Sequence, residues 1–418
     1  MGADAGADPA PPAAGQGPGG ELRLLATGRG ASALGPLAAA EQLAPGTAPP
    51  AGHSATAELE WRHTLHLRAS ALPLALAANV LLQGTATEHR ASRAAARFNE
   101  LHLGADLGAW QLGAGRKVLG WDVGYGFRPN DVVQQETRRA LLATTPQGRP
   151  LVMLERFGAE HAVSLVWVNP QHWHETAGAG AADANRSADE SALALRGYHR
   201  LGALDAHGFA RHGRHSGASV GAALAWVATD ELEVHASWRR LERHDGWQID
   251  PRAGDAPQTA NPWRQALRGG ATQWLAGFNW TGLAQQGLMV EFWHDGTALP
   301  DGEWTDWRRR NAALAAAPVP PTAAAGNLAW QASPFSAPNL RQDNLFVRLS
   351  WSPQRWQFTF DTLFTPADRG RLHTLAAQWQ GESWRLNAAG RVAAGPTEAL
   401  ATQLPTRRTL LVAAVRAF

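Results

Sequence analysis

Residue types that can bind a charged group gather in one stretch, 113-GAGRKVLGWDVGYGFRPNDVVQQETRR-139. It contains the only lysine of the chain, Lys117, and one of the two tyrosines, Tyr125. Its spaced glycines suggest a dinucleotide fingerprint, but the required order of strand, G-x-G-x-x-G and helix is absent. Carboxylates and guanidinium groups placed this close together can form ion pairs or contact a charged solute.

Metal-binding and catalytic patterns are weaker. His172, His174 and Glu175 in 170-PQHWHE-175 have a spacing that a metal could use, but no further ligand is fixed by spacing. A second histidine group comprises His199, His207, His212 and His215. The chain has no cysteine and no G-x-S-x-G nucleophile motif. We therefore expect no metal site, no cofactor and no catalytic residue.

Composition narrows the class of partner. The chain carries 38 Lys+Arg against 36 Asp+Glu, a net charge of +2, which is too small to argue for nucleic-acid binding. No run reaches the roughly 18 apolar residues of a membrane helix. The first residues lack the charged and apolar regions of a signal peptide. We predict a flexible periplasmic leader over 1–19 and a single domain over 20–418.

Alternation of apolar and polar residues is the main structural signal. In 57-AELEWRHTLHLRAS-70 one face carries Leu59, Trp61 and Leu65, and the other carries mostly charged and polar side chains. The stretches 231-ELEVHASWRR-240, 344-NLFVRLSW-351 and 356-WQFTFDTLF-364 behave in the same way. A period of two indicates β-strands rather than helices.

The whole chain divides into about eighteen such segments, each about long enough for a tilted strand to cross a bilayer. Long and short connections alternate for most of the length, as in bacterial barrels with long extracellular loops and short periplasmic turns. The longer loops are predicted over 31–54, 85–97, 119–147, 170–190, 242–270, 296–341 and 392–405. We predict an all-β fold, a transmembrane antiparallel up-and-down β-barrel of about 18 strands, with 16 as the alternative count. The predicted strands are 20–30, 55–69, 73–84, 98–106, 110–118, 148–158, 161–169, 191–200, 203–211, 216–227, 231–241, 271–281, 287–295, 342–351, 355–365, 370–380, 384–391 and 406–418.

The strand ends support a membrane setting. Many of the 19 tryptophans fall near strand ends, where interfacial aromatic girdles occur. The chain closes with 410-LLVAAVRAF-418, which resembles the C-terminal signature that barrel-assembly machinery recognises. We therefore expect outer-membrane lipid and that machinery, through Phe418, as partners.

The polar strand faces then line a lumen, because a barrel of this size is not filled by its side chains alone. Rings of arginine in a pore favour anions. Cross-strand Arg–Glu pairs can equally brace the wall, and both roles stay open for each residue. The predicted lumen-lining residues are Glu58, Glu60, Arg62, Arg68, Arg239, Arg348 and Arg385.

The segment 98–139 carries a distinctive set of residues, namely Glu100, Leu101, Trp110, Leu112, Gly113, Gly115, Arg116, Trp121, Pro129, Asp131, Val132, Val133, Arg138 and Arg139. With these residues it resembles the alginate-export family of outer-membrane porins and its uncharacterised proteobacterial relatives. The resemblance covers some 40 residues, and the usual Trp-Gly is Trp121-Asp122 here. Membership would imply a monomeric barrel whose loops and arginine-lined constriction pass an anionic polysaccharide or another solute.

The glycines of this segment allow residues 119–139 to bend inward as a constriction loop. Its predicted members are Arg116, Trp121, Asp122, Asp131, Arg138 and Arg139. We expect Asp122 and Asp131 to pair with Arg116, Arg138 or Arg139 and so to hold the loop inside the barrel. The segment 303–317 has helical composition and is a candidate cap or plug.

Together these patterns favour a porin-like channel of the bacterial outer membrane. It would pass an anionic solute, polysaccharide-like or a small organic anion, by passive diffusion and without enzymatic activity. A barrel that acts as a scaffold for a partner is the first alternative. A soluble all-β binding protein is the second, and an outer-membrane lipase or protease is the enzymatic one.

Overall fold

A computed structural model describes residues 18–69, 72–88, 90–134, 141–142, 146–172 and 186–418. Most of this part of the chain is β-strand. The strands are β1 (Gly19–Ala31), β2 (Gly52–Ala69), β3 (Leu72–Thr87), β4 (Arg90–Leu107), β5 (Trp110–Lys117), β6 (Arg149–Phe157), β7 (His161–Val168), β8 (Ala192–Leu201), β9 (Leu204–Gly213), β10 (Gly217–Val227), β11 (Leu232–Leu241), β12 (His244–Ile249), β13 (Trp263–Arg268), β14 (Ala271–Thr281), β15 (Gln286–Asp295), β16 (Asp343–Trp351), β17 (Trp356–Thr365), β18 (Gly370–Gln380), β19 (Trp384–Ala394) and β20 (Thr406–Ala417).

Eighteen of these strands form one closed antiparallel sheet. Each pairs with its neighbour in sequence, apart from the small separate hairpin β12–β13, and β1 pairs with both β2 and β20. Closure leaves no sheet edge, so the backbone hydrogen bonds are satisfied within the barrel. The predicted antiparallel β-barrel of 18 strands is confirmed.

The outer face is apolar. Exposed leucine, valine, phenylalanine and tryptophan side chains alternate with inward residues, as Leu22, Leu24, Leu59 and Trp61 show on β1 and β2. Outward tryptophans mark the strand ends beside the short turns, as a membrane-interface girdle requires. They are Trp110, Trp226, Trp280, Trp351, Trp356, Trp379 and Trp384.

Two predicted connections are different in the structure. The loop expected over 85–97 is wrong, because β3 and β4 continue through it and only residues 88–89 separate them. This stretch consists largely of alanine, arginine and small polar residues, so its two strand faces differ little in hydrophobicity. The alternation is therefore not visible in the sequence. The loop 242–270 contains the hairpin β12–β13, which sequence reasoning missed.

Helices lie mainly in the long connections. They are α1 (Pro36–Leu43), α2 (Arg186–Asp189), α3 (Asp301–Ala315), α4 (Pro321–Trp330) and α5 (Leu400–Gln403). The helix expected over 303–317 corresponds to α3. No helix in the described ranges is long and apolar enough to span a membrane. The leader predicted over 1–19 lies largely outside the described residues and stays a prediction.

The long connections pack on one another at one end of the barrel. One cluster combines Trp304 and Trp307 of α3 with Trp263 of β13, Phe335 and Leu400. A second joins Ala40 of α1 to Ala325 and Leu328 of α4. Loops that leave the barrel at separate points therefore share two small cores, and we call this assembly the extracellular cap.

Candidate functional site: an inward loop and the wall it leaves open

Residues 118–134, the constriction loop, lie inside the barrel. Trp121, Val132 and Val133 are buried in one apolar cluster with inward residues of five consecutive strands. Those wall residues are Leu151, Met153, Val166, Val168, Ala194, Phe209 and Ala223. The wall of β6 to β10 is thus apolar at the level where it carries the loop.

Asp122 attaches the loop to β11. Its carboxylate accepts a hydrogen bond from Ser237 Oγ at 2.7 Å and from the main-chain nitrogens of Val123 and Asn130 at 2.9 and 2.5 Å. Burial raises the pKa of Asp122, and these hydrogen bonds only partly offset that effect. The side chain is therefore used in holding the loop rather than in facing solute.

Asn130 makes the second attachment. Its side-chain nitrogen donates to Ser237 Oγ at 2.8 Å, to Trp238 O at 3.1 Å and to Ala222 O at 3.2 Å. A Cβ on Gly221 would lie 1.9 Å from Asn130 Oδ1, so only glycine fits on the wall at that point.

Arg239, predicted to line the lumen, also serves the loop. It donates to Pro129 O at 2.9 Å and to Ser219 Oγ at 3.0 Å, and it is buried. Solute in the lumen therefore does not meet this guanidinium as an open cation.

Glu291 of β15 makes the third attachment. Its carboxylate accepts the main-chain N–H groups of Tyr125 and Gly126 at 2.7 and 2.6 Å, and it contacts His235 Nε2 at 3.0 Å. Gly277 of β14 pairs with His235 on one side and with Glu291 on the other, and a Cβ at Gly277 would approach both side chains. Glu291 is fully buried.

Two aromatic contacts strengthen this attachment. The ring of Tyr125 meets His235 edge-on at 5.5 Å, and Phe127 stacks on Trp293 at 5.7 Å. Burial raises the pKa of Tyr125, the neighbouring acids Glu233 and Glu291 add to the effect, and the phenol is neutral at physiological pH.

The expected partners of the loop aspartates need correction. Asp131 accepts from the main-chain nitrogen of Trp121 at 2.9 Å and lies 3.8 Å from Arg128, not beside Arg116. The register of β5 with β6 runs without a bulge, so Arg116 shares the outward face with Trp110 and Leu112 and donates to Gly148 O. Arg138 and Arg139 lie outside the described residues.

Away from the loop, the inner wall of β1, β2, β16, β17 and β19 carries ion pairs. Glu60 is fully buried and accepts from Arg23 at 2.6 Å, Arg62 at 2.7 Å and Asn79 at 2.7 Å. Glu58 accepts from Gln83 at 2.7 Å and lies 3.6 Å from Arg23. These contacts brace the wall.

Two further ion pairs extend this wall. Arg348 binds Asp361 with two hydrogen bonds of 2.8 and 2.9 Å, and Arg385 lies 3.6 Å from Glu21. Arg68 lies exposed near the short-turn end of β2.

In three of these pairs the arginine is the more exposed partner. Side-chain exposure is 36% for Arg62 against 0% for Glu60, and 37% for Arg348 against 16% for Asp361. It is 30% for Arg385 against 20% for Glu21. The Arg23–Glu21 pair has the opposite order, with 7% exposure for Arg23 against 20% for Glu21.

The histidine groups do not form a metal centre among the described residues. His215 Nε2 instead contacts Asp245 of β12 at 2.6 Å, and Asp245 also accepts from Ser187. His172 is described, whereas His174 and Glu175 lie outside the described residues.

Sequence reasoning missed the parts of the site that depend on contacts distant in sequence. It did not assign a role to Asn130, Ser237, His235, Arg128 or Glu291. Strand parity puts Ser237, His235 and Glu291 inward, so alternation alone could have nominated them. Nothing local indicates that they meet residues 122–130.

The closed barrel, its apolar exterior and the loop folded into its lumen define a bacterial outer-membrane β-barrel. Among solved structures, the chain is similar to Pseudomonas aeruginosa OpdQ, with 9% identity, a TM-score of 0.56, and coverage of 96% of this chain and 98% of that one. It is also similar to Pseudomonas aeruginosa OccK5 (OpdH), with 8% identity, a TM-score of 0.54, and coverage of 96% and 97%. Acinetobacter baumannii OccAB3 gives 9% identity, a TM-score of 0.53, and coverage of 96% and 98%.

These structural neighbours are outer-membrane porins, and at this identity the similarity establishes the fold. No family model and no curated protein matches the sequence. The predicted outer-membrane barrel fold is therefore confirmed, whereas the narrower resemblance to alginate-export porins stays a prediction.

Proposed function

We propose that the protein is a non-enzymatic outer-membrane channel that passes small solutes by passive diffusion. The constriction loop is the observation that carries this proposal. It is attached to the wall at Ser237, Arg239 and Glu291, so it narrows the lumen instead of projecting from the barrel. A barrel that served only as a scaffold would have no need of an internal loop held by buried polar contacts. The porin fold of the structural neighbours is consistent with this function.

We further propose that the channel prefers anions. The exposure difference within three of the wall pairs supports this, because the side chains of Arg62, Arg348 and Arg385 are more exposed than those of Glu60, Asp361 and Glu21. A guanidinium can bind carboxylate with two parallel hydrogen bonds. Uronate-like polysaccharides and small organic anions both carry carboxylates. The resemblance of residues 98–139 to alginate-export porins favours the uronates among these solutes.

Planar-bilayer recording tests both parts. In a KCl gradient we expect discrete conductance steps and a reversal potential that shows anion preference. Arg62→Gln and Arg348→Gln should each move the reversal potential toward cations, because each removes a positive charge from the inner wall. Arg348→Gln also leaves Asp361 without its guanidinium partner, whereas Glu60 keeps Arg23 in Arg62→Gln. Arg416→Gln is the matched control, since it removes the same charge from the outer face.

The outcomes separate the two proposals. A folded barrel that never conducts contradicts the channel, and cation preference in the unmodified protein contradicts anion selectivity alone. Heat-modifiable gel mobility shows that each variant is folded before it is recorded.

A further inference from the structure

Four arginines occupy the outer face of the barrel at its extracellular end. Arg116 is the last residue but one of β5, Arg240 is the last but one of β11, and Arg371 and Arg408 lie at the start of β18 and β20. Each shares its strand face with exposed apolar side chains. We call these four residues the outer rim arginines. The apolar neighbours on the same faces are Leu112, Trp238, Leu375 and Leu410.

The outer rim arginines differ from the lumen arginines in their partners. Among the described residues none of the four has a carboxylate within 4 Å, whereas Arg23, Arg62, Arg348 and Arg385 all do.

Their contacts with the protein are few. Arg116 donates to Gly148 O, Arg240 donates to Thr272 Oγ1 at 2.8 Å, and Arg371 lies over the ring of Phe364 at 5.5 Å. A cation at the boundary of the hydrocarbon layer attracts anions from the lipid headgroups when the protein supplies none.

Arg371 and Arg408 form the densest part of this surface. They lie on either side of β19, opposite Ala394 and Val392 respectively. Two strand spacings and an offset of two residues along the strand separate them, which together give roughly 12 Å between their Cα atoms. The residues between them are small or apolar, so neither competes for the guanidinium groups.

We propose that Arg371 and Arg408, supported around the circumference by Arg116 and Arg240, bind the phosphate groups of the glycolipid that forms the outer leaflet. Arginine forks match phosphate oxygens in the same bidentate way as carboxylates. The long connections place this rim on the extracellular side, where the phosphates of that lipid lie. This inference concerns the outer face and does not depend on whether the lumen conducts.

The opposite rim supplies a matched comparison. Arg156 and Arg416 are exposed on the outer face at the short-turn end, but their guanidinium groups lie over the rings of Trp110 and Trp384 at 5.7 and 5.6 Å. A Trp face is a good partner for a cation. This pair carries the same charge as Arg371 and Arg408 together, but both of its guanidinium groups lie over tryptophan. Arg371 lies over the weaker face of Phe364, and Arg408 lies over no ring among the described residues.

Binding of lipid A to the purified barrel in neutral detergent tests the proposal, with native mass spectrometry counting the bound lipids. For the unmodified protein we expect retention of phosphorylated lipid A and loss of retention after its phosphates are removed enzymatically. For Arg371→Gln combined with Arg408→Gln we expect roughly tenfold or greater weakening. Arg156→Gln combined with Arg416→Gln should bind as the unmodified protein does.

Two results would overturn the inference. One is equal binding of phosphorylated and dephosphorylated lipid A to the unmodified protein, a comparison that needs no variant to fold. The other is equal weakening by the two double variants, since that would reflect net charge alone. Single-channel conductance of the same samples reports on the proposed channel separately.

Discussion

Glu291 on the barrel wall accepts the main-chain N–H of Tyr125 in the constriction loop at 2.7 Å, although 166 positions separate the two residues. The same carboxylate accepts the N–H of Gly126 and contacts His235, so one buried acid joins two strands to the loop. The position of the constriction thus depends on a side chain of β15, far from the loop in sequence.

Replacing Glu291 should release this part of the loop. In Glu291→Leu two buried N–H groups lose their acceptor, which costs about 1–3 kcal/mol for each unsatisfied group. We expect a larger mean conductance and added current noise in single-channel records. Glu155→Gln is the control, because Glu155 lies on the inner wall and contacts Ser164 instead of the loop. Unchanged conductance in Glu291→Leu would contradict the attachment.

Gly221→Ala should displace Asn130. The added Cβ would overlap the Asn130 side chain, which then loses its bonds to the wall. Each lost hydrogen bond is worth about 0.5–1.5 kcal/mol, and we expect conductance changes that resemble those of Asn130→Ala. Gly197→Ala is the matched variant, since a Cβ there meets nothing within 4 Å. If both glycine variants conduct identically, the close fit at Gly221 does not control the loop.

Arg341 should be important for the extracellular cap. It is buried and donates to Asp301 at 2.8 Å and to Asp368 at 3.1 Å, so it joins two loops. Burial alone would raise the pKa of Asp368, but hydrogen bonds from Thr365, Leu400 and Gly370, together with Arg341, outweigh it and lower the pKa.

Truncating one partner of a buried pair costs about 3–5 kcal/mol. Arg341→Ala should therefore be cut faster than the unmodified protein by chymotrypsin within residues 296–342. Arg309→Ala, which removes an exposed ion-paired arginine of α3, should be cut at the unmodified rate. Equal cutting of both variants would show that the cap does not need the buried pair.

The hairpin β12–β13 should loosen in acid. Burial would raise the pKa of Asp245, but hydrogen bonds from Ser187 and His215 outweigh it, and the pKa falls below the ordinary value of 3.8. The stabilisation from this carboxylate is therefore present above 3.8 and is lost as the pH falls through the lower folded pKa.

A spin label reports this change. The chain has no cysteine, so Thr259→Cys places one label in the exposed connection of the hairpin. We expect restricted motion at neutral pH and increased motion in strong acid, with Asp245→Asn more mobile across the whole range. If the label is equally mobile in Asp245→Asn and in the parent protein at neutral pH, Asp245 does not hold the hairpin in place.

Periodicity predicted the barrel because every spanning strand obeys the same local rule. Leu59 and Trp61 face lipid while Glu58 and Glu60 face the lumen, and this alternation is visible without any tertiary contact. The continuation of β3 and β4 through residues 85–97 escaped the prediction because its alternation is between alanine and small polar or charged residues.

The site was predicted only in part. The glycines and aspartates of residues 113–131 identified the loop and its inward path. The partners of Asp122 and Glu291 could not be derived, because they depend on which wall residues the closed barrel brings opposite the loop. Arg239 is an example. Strand alternation shows that its side chain points inward, but it does not show whether an inward arginine holds a loop or faces solute.

Lys117, the only lysine, ends β5 immediately before the constriction loop begins. Amine-reactive reagents therefore have one side-chain target in this chain, and it lies at the base of the segment that narrows the lumen. A fluorophore coupled there, quenched by tryptophan when the loop packs with Trp121, would allow the loop to be followed in the folded barrel without introducing any substitution.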